Sequence, residues 1–347
     1  MKKQLSLFLM TAIISASLLG CGSSKETSEV SVNSSAAESV AAETSQTGNT
    51  ATEGSTAGAT AADANNIKYP YKYVDAANRK ITIGKQPVKV SISYLPHWET
   101  LMMLDVMPIA TTQAKHYAQT WDPFKSMDLS SVVDLGNNEV NLELLADLEP
   151  DIILEQSYDI NKIDVGNLEK IAPVVVFGEK VKMDWRYSIR EIAKVVGKNK
   201  RAEEVISEID KKLADSRVKL KEGYSDKKVM LMSLMGKDRY FCAYRPDLYD
   251  QEKGLGLNAP KGFPTEETYI QVSMEALVEM NPDYLFVNVF DGDEALLEEL
   301  SQNSVWKSLK AVKDGHVFTL DGSGHACSVT STVHTVDFIV ETLLANK

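Results

Sequence analysis

The pattern of hydrophobic and polar positions repeats once along this chain of 347 residues. Residues 142–151 read LELLADLEPD and residues 274–283 read MEALVEMNPD, and an apolar run follows each of them. Apolar residues at helical spacing, ended by Pro and followed by a β-prone run, predict a helix packed beside a buried parallel strand. Two copies that lie 132 residues apart predict two lobes of similar build rather than a short-period solenoid.

Strand-like and helix-like patterns alternate on both sides of the first copy. A strand, a helix and a second strand at this spacing form a βαβ unit, which indicates a parallel sheet. The loops 94–97 and 113–117 then lie at the carboxyl edge of that sheet, where open α/β sheets bind ligands. The predicted elements are a hairpin at 69–83, a helix at 97–104, and strands at 88–92, 107–112, 152–154 and 174–176.

The second half of the chain has a comparable set of elements. Between the halves lie 185–196, which is amphipathic, and 202–220, which is charged and has helical periodicity. A helix of about 19 residues is roughly 28 Å long, and the copies on either side favour a connector between two lobes. The predicted elements are strands at 228–234, 240–244, 284–289 and 316–320, and helices at 248–255, 294–310 and 333–344.

The beginning of the chain has the order of a secretory signal. A basic start, an apolar segment at 5–19 and the tripeptide Leu-Leu-Gly precede Cys21, which matches the bacterial lipoprotein cleavage box. The apolar segment is too short for a membrane span. We expect residues 1–20 to be removed and Cys21 to carry lipid. The lipid would anchor the chain to the outer face of the bacterial cytoplasmic membrane, on the extracellular side or in a periplasm.

A tether is predicted between this cysteine and the folded part of the chain. Residues 22–66 consist almost entirely of Ser, Thr, Ala, Glu and Gly and contain no aromatic residue, so they cannot bury enough surface to fold. The formal net charge is −12, and removal of the two lysines of the signal makes it −14. A chain this acidic is a poor candidate for nucleic-acid binding.

The repeated pattern L/M-E-x-L-x-x-L/M-x-P-D resembles the signature found in each lobe of the helical-hinge solute-binding proteins. These are the iron-siderophore, heme and cobalamin receptors of ABC importers. The resemblance covers 68–347 and includes the pattern x-x-E-x-L-x-x-L at 97–104 and a late Gly-His-Val-Phe strand. It implies an α/β fold of two Rossmann-like lobes, joined by a single long connecting helix, with the ligand cleft between the lobes. A helix resists bending more than a pair of loops does, so we expect modest closure on the ligand rather than a wide swing.

The same resemblance implies a role for one acid in each copy. In the family, the first-turn Glu of each signature helix pairs with an arginine of the membrane permease, and Glu143 and Glu275 occupy that position here. The alternative is that each acid is favoured only by the dipole at the start of its helix. The implied protein partners are the ABC permease and its cytoplasmic ATPase, and the receptor is expected to be a monomer.

The ligand-binding candidates combine aromatic surface with cations. Ferric catecholate and citrate complexes are anionic, and Arg donates two hydrogen bonds to oxyanions, while aromatic faces suit a bulky, rigid chelate. Each residue also has a structural alternative, as core or as a surface ion pair. No resident cofactor is expected, because an iron(III) chelate is cargo. The candidates are His97, Trp98, Lys115, His116, Tyr117, Trp121, Trp185, Arg186, Tyr240, Tyr244, Arg245 and His325.

Direct metal binding and catalysis are not indicated by the motifs. His325, Cys327 and His334 lie near one another in the sequence, but their spacing is not that of a zinc site. A disulfide between Cys242 and Cys327 is an alternative to two buried thiols. The chain has no G-x-S-x-G and no P-loop, and the G-x-G-x-x-A match at 254–259 follows a predicted helix rather than a strand.

The sequence therefore predicts a membrane-tethered, non-enzymatic receptor that captures a ferric siderophore or a similar iron chelate and delivers it to an ABC permease. Two alternatives stay open: the same type of receptor for heme or cobalamin, and a surface hydrolase or sensor on an α/β fold. The predicted segments are a lipoprotein signal peptide at 1–20, the lipidated Cys and tether at 21–66, an N-terminal lobe at 67–182, a connecting helical segment at 183–222 and a C-terminal lobe at 223–347.

Overall fold

Two five-stranded sheets organise the part of the chain that this computed structural model describes, residues 67–93, 95–136, 140–156, 164–266 and 269–346. The predicted signal peptide, the lipidation cysteine and the tether lie outside these residues. The strands are β1 (Tyr71–Val74), β2 (Lys80–Ile83), β3 (Val90–Ile92), β4 (Ala110–Thr111), β5 (Val133–Asp134), β6 (Ile152–Gln156), β7 (Val174–Phe177), β8 (Val229–Leu234), β9 (Tyr240–Cys242), β10 (Ile270–Val272), β11 (Tyr284–Val289) and β12 (Val317–Asp321). The helices are α1 (Leu95–Met103), α2 (Ala114–Thr120), α3 (Leu142–Asp147), α4 (Val165–Leu168), α5 (Glu179–Met183), α6 (Trp185–Val196), α7 (Asn199–Tyr224), α8 (Pro246–Tyr249), α9 (Met274–Met280), α10 (Glu294–Gln302), α11 (Lys310–Lys313) and α12 (Val329–Ala345).

The two sheets share one strand order but differ in strand direction. The N-terminal sheet has the order β5-β4-β3-β6-β7, and all its strands are parallel. The C-terminal sheet has the order β10-β9-β8-β11-β12, in which β9 is antiparallel to both β8 and β10. The prediction of two Rossmann-like α/β lobes is confirmed, with one strand of the second lobe reversed.

The reversal of β9 follows from its short connection to β8. The turn between Leu234 and Tyr240 includes Gly236 and Asp238, which have φ of +92° and +56°, and the Met235 N–H closes it by donating to the Arg239 carbonyl at 3.0 Å. A connection this short joins antiparallel neighbours, because a parallel pair needs a crossover of a dozen or more residues.

The repeated sequence forms the same helix start in both lobes. The Asn141 side chain accepts a hydrogen bond from the Leu144 N–H at 3.0 Å, which caps α3. The Ser273 hydroxyl accepts from the Ala276 N–H at 3.2 Å, which caps α9. Each helix therefore satisfies one of its free N–H groups within its own segment.

The Asp that ends each copy joins two neighbouring strands. The Asp151 carboxylate accepts the N–H groups of Val88 and Lys89, both at 2.9 Å, and the Asp151 N–H donates to the Lys89 carbonyl. The Asp283 carboxylate accepts the Lys228 N–H at 2.8 Å, and the Asp283 N–H donates to the Lys228 carbonyl. In both lobes this residue holds the start of the strand after the signature beside the start of the central strand.

Two helices cross between the lobes. The connector α7 has 26 residues and extends beyond the predicted 202–220 at both ends. The last helix, α12, packs against α1 of the N-terminal lobe, against α6 and α7 of the connecting segment, and against α8. Lys212 on α7 pairs with Asp337 on α12 at 2.5 Å. Buried residues of both lobes form one continuous core, so the connecting helix is not the only link between them.

Within the described residues, none of the helices has the length and hydropathy that a bilayer crossing requires.

Candidate functional site

Strands of the N-terminal sheet end in polar side chains at the edge predicted to bind a ligand. Ser93, which follows β3, donates from its hydroxyl to the Glu155 carboxyl at the end of β6. Thr112, which follows β4, donates from its hydroxyl to the Ser93 carbonyl. Burial raises the pKa of Glu155 to about 7, and the Ser93 hydrogen bond opposes that rise. The loops after β3, β4 and β6 are therefore joined by hydrogen bonds at this edge.

His97 lies at the same edge, on α1. Its ring is fully buried, its Nε2 is 3.0 Å from Gln156 Oε1, and its edge faces the Phe177 ring at 5.6 Å. Burial lowers the pKa of His97 to about 4, so the imidazole is neutral near pH 7. His97 is buried beneath the sheet edge, and its observed hydrogen-bond partner is Gln156. Its contact with a ligand stays a prediction.

A second neutral histidine lies at the carboxyl edge of the C-terminal sheet. His325 Nδ1 is 2.9 Å from the Ser233 hydroxyl, which accepts a hydrogen bond from the Asn288 amide at 3.0 Å. The Tyr269 ring stacks on the His325 ring with centroids 4.0 Å apart. Burial, and then two nearby cations, lower the pKa of His325 to about 3. His325 therefore offers hydrogen bonding and ring surface to a ligand, but no positive charge.

Lys182 on α5 supplies a cation beside this histidine. Its side chain is buried, pairs with Glu179 at 3.0 Å and lies 5.9 Å from the Tyr269 ring centroid. Its charge is one of the two that lower the pKa of His325. Lys182, at the end of the N-terminal lobe, thus places a positive charge beside Tyr269 and His325 of the C-terminal lobe.

Aromatic rings from both lobes meet where the two sheet edges face each other. Trp121 lies 4.7 Å from the Tyr117 ring and 6.5 Å from the Phe290 ring, and Phe290 lies 5.5 Å from the His325 ring. A Cβ on Gly322 would be 2.8 Å from Phe290 and 2.9 Å from the Trp121 indole nitrogen, so any larger residue there would push these rings apart. We call Tyr117, Trp121, Phe290 and His325 the aromatic seam.

Three further predicted ligand-binding residues have at least partly exposed side chains. Two of them lie on α2 beside the aromatic seam, and the third follows β9. Lys115 and His116 are exposed on α2, and the His116 ring is 5.2 Å from the Tyr117 ring. Tyr244 is half-buried, with its ring 5.7 Å from the Tyr249 ring. Their contact with a ligand stays a prediction.

Three predicted aromatic residues belong to the interior instead. Trp98 is fully buried 5.1 Å from the Phe124 ring, and Trp185 is buried at the start of α6. Tyr240 is buried at the start of β9 and donates to Asp238, and burial raises its pKa to about 12. All three residues are at most 3% exposed, so they offer little surface to a ligand in this arrangement of the lobes.

The two predicted arginines are already engaged. Arg186 donates to Asp210 at 2.9 and 2.5 Å on the surface of α6 and α7. Arg245 is buried and donates to Asp247 at 3.0 and 2.7 Å and to the Gly324 carbonyl at 2.9 Å. A buried guanidinium needs such a counter-ion. Both guanidinium groups therefore have structural partners within the protein, and their predicted contact with a ligand oxyanion stays a prediction.

The two predicted docking acids are exposed at equivalent places. Glu143 and Glu275 lie in the first turn of α3 and of α9. Those helices follow β5 and β10, whose carboxyl ends lie on the same edges as the ends of β3 and β8. Hydrogen-bond donors at the helix start lower the pKa of Glu275. Each lobe thus presents one acid on its ligand-side edge.

One group of metal-ligating side chains occurs in the part of the chain that the structure describes. Asp122, Asp321 and His334 bring one ligand atom each within 4.8 Å of the others. Lys125 already pairs with Asp122 at 2.6 Å, and Asp321 accepts the Asp122 N–H at 2.5 Å. Each carboxylate thus has at least one hydrogen-bond or ion-pair partner within the protein. The two cysteines among the described residues are buried free thiols, and neither belongs to this group.

Sequence reasoning missed most of the residues that line the two edges. One signal was available in the repeat itself. Gln156 and Asn288 lie 132 residues apart, as the two signatures do, and each amide holds a histidine, directly at His97 and through Ser233 at His325. The other missed residues have no such signal in the sequence, because long-range packing brings them here: Glu155, Lys182, Tyr269 and Phe290.

Comparison with known proteins agrees with this architecture. The profile of the periplasmic binding protein family matches residues 90–323. The iron(3+)-hydroxamate-binding protein FhuD of Bacillus subtilis is 29% identical over 301 residues, which is 82% of this chain and 89% of that protein. The iron-uptake system-binding protein of Bacillus subtilis is 26% identical over 271 residues, 75% of this chain and 83% of that protein.

Solved structures share the fold. The triscatecholate siderophore binding protein FeuA from Bacillus subtilis, complexed with ferri-bacillibactin, has a TM-score of 0.66 at 23% identity, covering 79% of this chain and 98% of that chain. Staphylococcus aureus SirA, complexed with staphyloferrin B, has a TM-score of 0.65 at 24% identity, with the same coverage of 79% and 98%. With two thirds of its length matched by the family profile, this chain belongs to the periplasmic binding protein family.

Proposed function

We propose that this chain is the receptor of an ABC importer, and that it binds a ferric siderophore or a similar iron(III) chelate between its two lobes. The observation that carries the proposal is the aromatic seam, where rings of both lobes meet at the carboxyl edges of the two sheets. Relatives named for iron(3+)-hydroxamate binding and for iron uptake support the same substrate class.

The charges beside the seam favour an anionic, partly apolar ligand. Lys182 supplies a positive charge, although its ion pair with the exposed Glu179 shares that charge, whereas His325 is neutral near pH 7 and contributes hydrogen bonding. Ferric catecholate and carboxylate complexes present oxyanions around a rigid centre, which a cation and several aromatic faces recognise together. Tyr117 from one lobe and Phe290 from the other are partly exposed and would contact the apolar part of such a chelate, while Trp121, which is buried, packs directly behind both rings.

Delivery completes the proposed cycle. Ligand contacts to both lobes stabilise their closed arrangement, and Glu143 and Glu275 then pair with basic residues of the permease, one acid for each lobe. An exposed pair contributes only about 0.2–1 kcal/mol, and more where docking removes water from it. A lipid on Cys21 and a tether at 22–66 would keep the receptor near the permease. The receptor binds its ligand without changing it chemically.

Tryptophan fluorescence of the full chain tests the ligand assignment. The titration panel is a ferric catecholate, a ferric hydroxamate, ferric citrate, heme and cobalamin, with the iron-free form of each siderophore beside it. Of the four tryptophans, Trp121 alone belongs to the aromatic seam, so a bound iron chelate should quench its emission saturably at submicromolar concentration. Trp121→Phe should lose most of the quenching.

The matched control is Trp306→Phe. Trp306 is buried in a short 3-10 helix between α10 and α11, and its loss should leave the quenching in place. If heme or cobalamin quenched the fluorescence saturably and the iron chelates did not, the proposed substrate would be wrong and the receptor would bind heme or cobalamin instead. A full panel without any saturable response would remove the receptor proposal and leave only the fold.

A further inference from the structure

A buried carboxylate of the N-terminal lobe caps a helix of the C-terminal lobe. Glu99 lies on α1, and its side chain is fully buried. Both of its carboxylate oxygens accept the backbone N–H of Thr330, at 2.9 and 3.2 Å, across a sequence separation of 231 residues. Thr330 is the second residue of α12. The bond therefore runs from one lobe to the first turn of a helix that follows the last strand of the other.

This helix has no cap of its own. The Ser328 side chain occupies the N-cap position of α12 but makes no cap hydrogen bond, whereas Asn141 and Ser273 cap α3 and α9 from within their own segments. A helix start offers free N–H groups and a partial positive charge, both of which favour a carboxylate. The Glu99 side chain therefore acts as the N-terminal cap of α12 in place of a residue from the helix's own segment.

Within the described residues, the Glu99 carboxylate is held by backbone N–H groups rather than by a cation. No ion pair of Glu99 with a Lys, Arg or His occurs among the described residues, so its partners are the N–H groups at the start of α12. Burial raises the pKa of Glu99 to about 7, against the opposing effect of hydrogen bonds from the segment 328–331. Above pH 7 the ionised carboxylate depends on that helix start.

The start of α12 is continuous with the C-terminal side of the candidate site. Only three residues separate His325 from α12, and the preceding 3-10 helix, Gly322–His325, packs over β8 and β11. A Cβ on Gly324 would lie 2.0 Å from the Asn288 side chain, so this segment fits closely against the sheet. On the other side of the bond, α1 carries His97 at the N-terminal edge.

We propose that Glu99 is a positioning residue for ligand binding, which caps α12 from the opposite lobe and thereby fixes the segment 322–328, with His325, relative to the N-terminal lobe. The inference rests on the proposed receptor function for its effect on the ligand. Its structural part, the link between the lobes, does not depend on which ligand is bound.

Hydrogen exchange of the full chain without ligand tests the link at pH 8. Glu99→Gln retains the size of the side chain but removes the charge that the helix start stabilises. Since hydrogen bonds to charged groups are the stronger ones, we expect amide exchange in 322–332 to become about tenfold faster, and the ring NMR signals of His325 to shift. Dissociation of the iron chelate should also become about tenfold faster.

The control variant is Glu191→Gln. Glu191 is a buried acid on α6 that accepts the Tyr73 hydroxyl at 2.8 Å, so its loss destabilises the same lobe without removing the cap of α12. It should leave the exchange of 322–332 and the His325 signals unchanged. Should Glu99→Gln not fold, Glu99→Asp, which retains the charge but shortens the reach by one methylene, gives the same comparison.

Three outcomes would overturn the proposal. Unchanged exchange in 322–332 would show that Glu99 does not hold this segment. If amide exchange in 322–332 changed equally in the Glu99 and Glu191 variants, the effect of Glu99 would be a general loss of stability rather than the loss of a specific link. Faster exchange with an unaltered ligand dissociation rate would remove the positioning role. If the unmodified chain binds no chelate, the proposed function fails, while the exchange data still decide whether Glu99 links the lobes.

Discussion

The two copies of the signature build the same unit in two different surroundings. In each lobe a capped helix leads into a Pro-Asp pair, and Asp151 or Asp283 holds the following strand beside the central one. The neighbouring strand differs, because β4 is parallel to β3 whereas β9 is antiparallel to β8. Local sequence therefore specifies the helix–strand unit, and the length of the connection that follows the central strand specifies the direction of the strand beside it.

The hydrophobic surroundings of the two copies differ as well. Leu145 of α3 packs in a small core on one side of the N-terminal sheet, with Ala110, Ile153 and Val174. Leu277 of α9 belongs to the large core that both lobes share. The same position in the repeat thus contributes to a local core in one lobe and to the common core in the other.

The largest effect is expected from removing these two leucines. Leu145→Ala and Leu277→Ala should each lower the free energy of unfolding by about 2–5 kcal/mol, because both side chains are buried. Denaturant unfolding measures the loss. Hydrogen exchange should show Leu145→Ala loosening β6 and β7 only, whereas Leu277→Ala should loosen both lobes. Equal loosening of β11 in both variants would contradict the division into a local and a shared core.

The two histidines at the sheet edges, His97 and His325, give the next largest effect, and it depends on pH. The pKa of His97 is lowered to about 4 and that of His325 to about 3, from an unfolded value of 6.5. Between those values the unfolded chain binds more protons, so both residues make the fold less stable as the pH falls below 6.5. His97→Gln and His325→Gln should each flatten this acid limb, and the His325 variant should do so to a lower pH.

Glu155 provides a control of opposite sign for that measurement. Its pKa is raised from 4.5 to about 7, so the folded chain binds more protons in that range, and its contribution to stability decreases as the pH rises. Glu155→Gln should remove that decrease and leave the acid limb of the histidines intact. Urea unfolding at a series of pH values measures both, and parallel curves for all three variants would refute the assignment.

A smaller effect is expected at the Asp of each signature. Asp151→Ala and Asp283→Ala remove the acceptor of strand N–H groups near the surface, where water replaces part of the bond, so each should cost about 0.5–1.5 kcal/mol of stability. The pKa of Asp151 is lowered to about 2, mainly by its hydrogen bond to Lys85. Its contribution should therefore be present above pH 4 and be lost as the pH falls toward 2. A stability difference that persists unchanged at pH 2 would argue against this.

The smallest change in stability is expected at the docking acids. Glu143→Lys and Glu275→Lys alter exposed residues, so the free energy of unfolding should change by less than about 0.5 kcal/mol, and ligand affinity should stay the same. Uptake of the iron chelate by cells should be lost. Glu149→Lys and Glu279→Lys reverse exposed acids of the same two segments and should leave uptake intact. Normal uptake with the first pair, or its loss with the second, would refute the docking role.

The sequence by itself determined the two lobes and the helix–strand unit within each. Periodicity, the Pro-Asp stop and the caps at Asn141 and Ser273 are local properties, and they fold in the same way in both copies. The antiparallel direction of β9 is also determined locally, because the short turn at Gly236 joins it to β8. The same repeated pattern predicted the binding-protein family, and the profile match over residues 90–323 confirms it.

Only the tertiary structure decided which side chains reach the site. Arg245 follows a strand and has the chemistry to bind an oxyanion, but in the buried interior its fork pairs with Asp247. Lys182 has no distinguishing pattern in the sequence, yet packing places it beside Tyr269 and His325. Burial and long-range contact set charge state and access, and neither is encoded in the spacing of neighbouring residues, because both depend on segments that meet only when the lobes have folded.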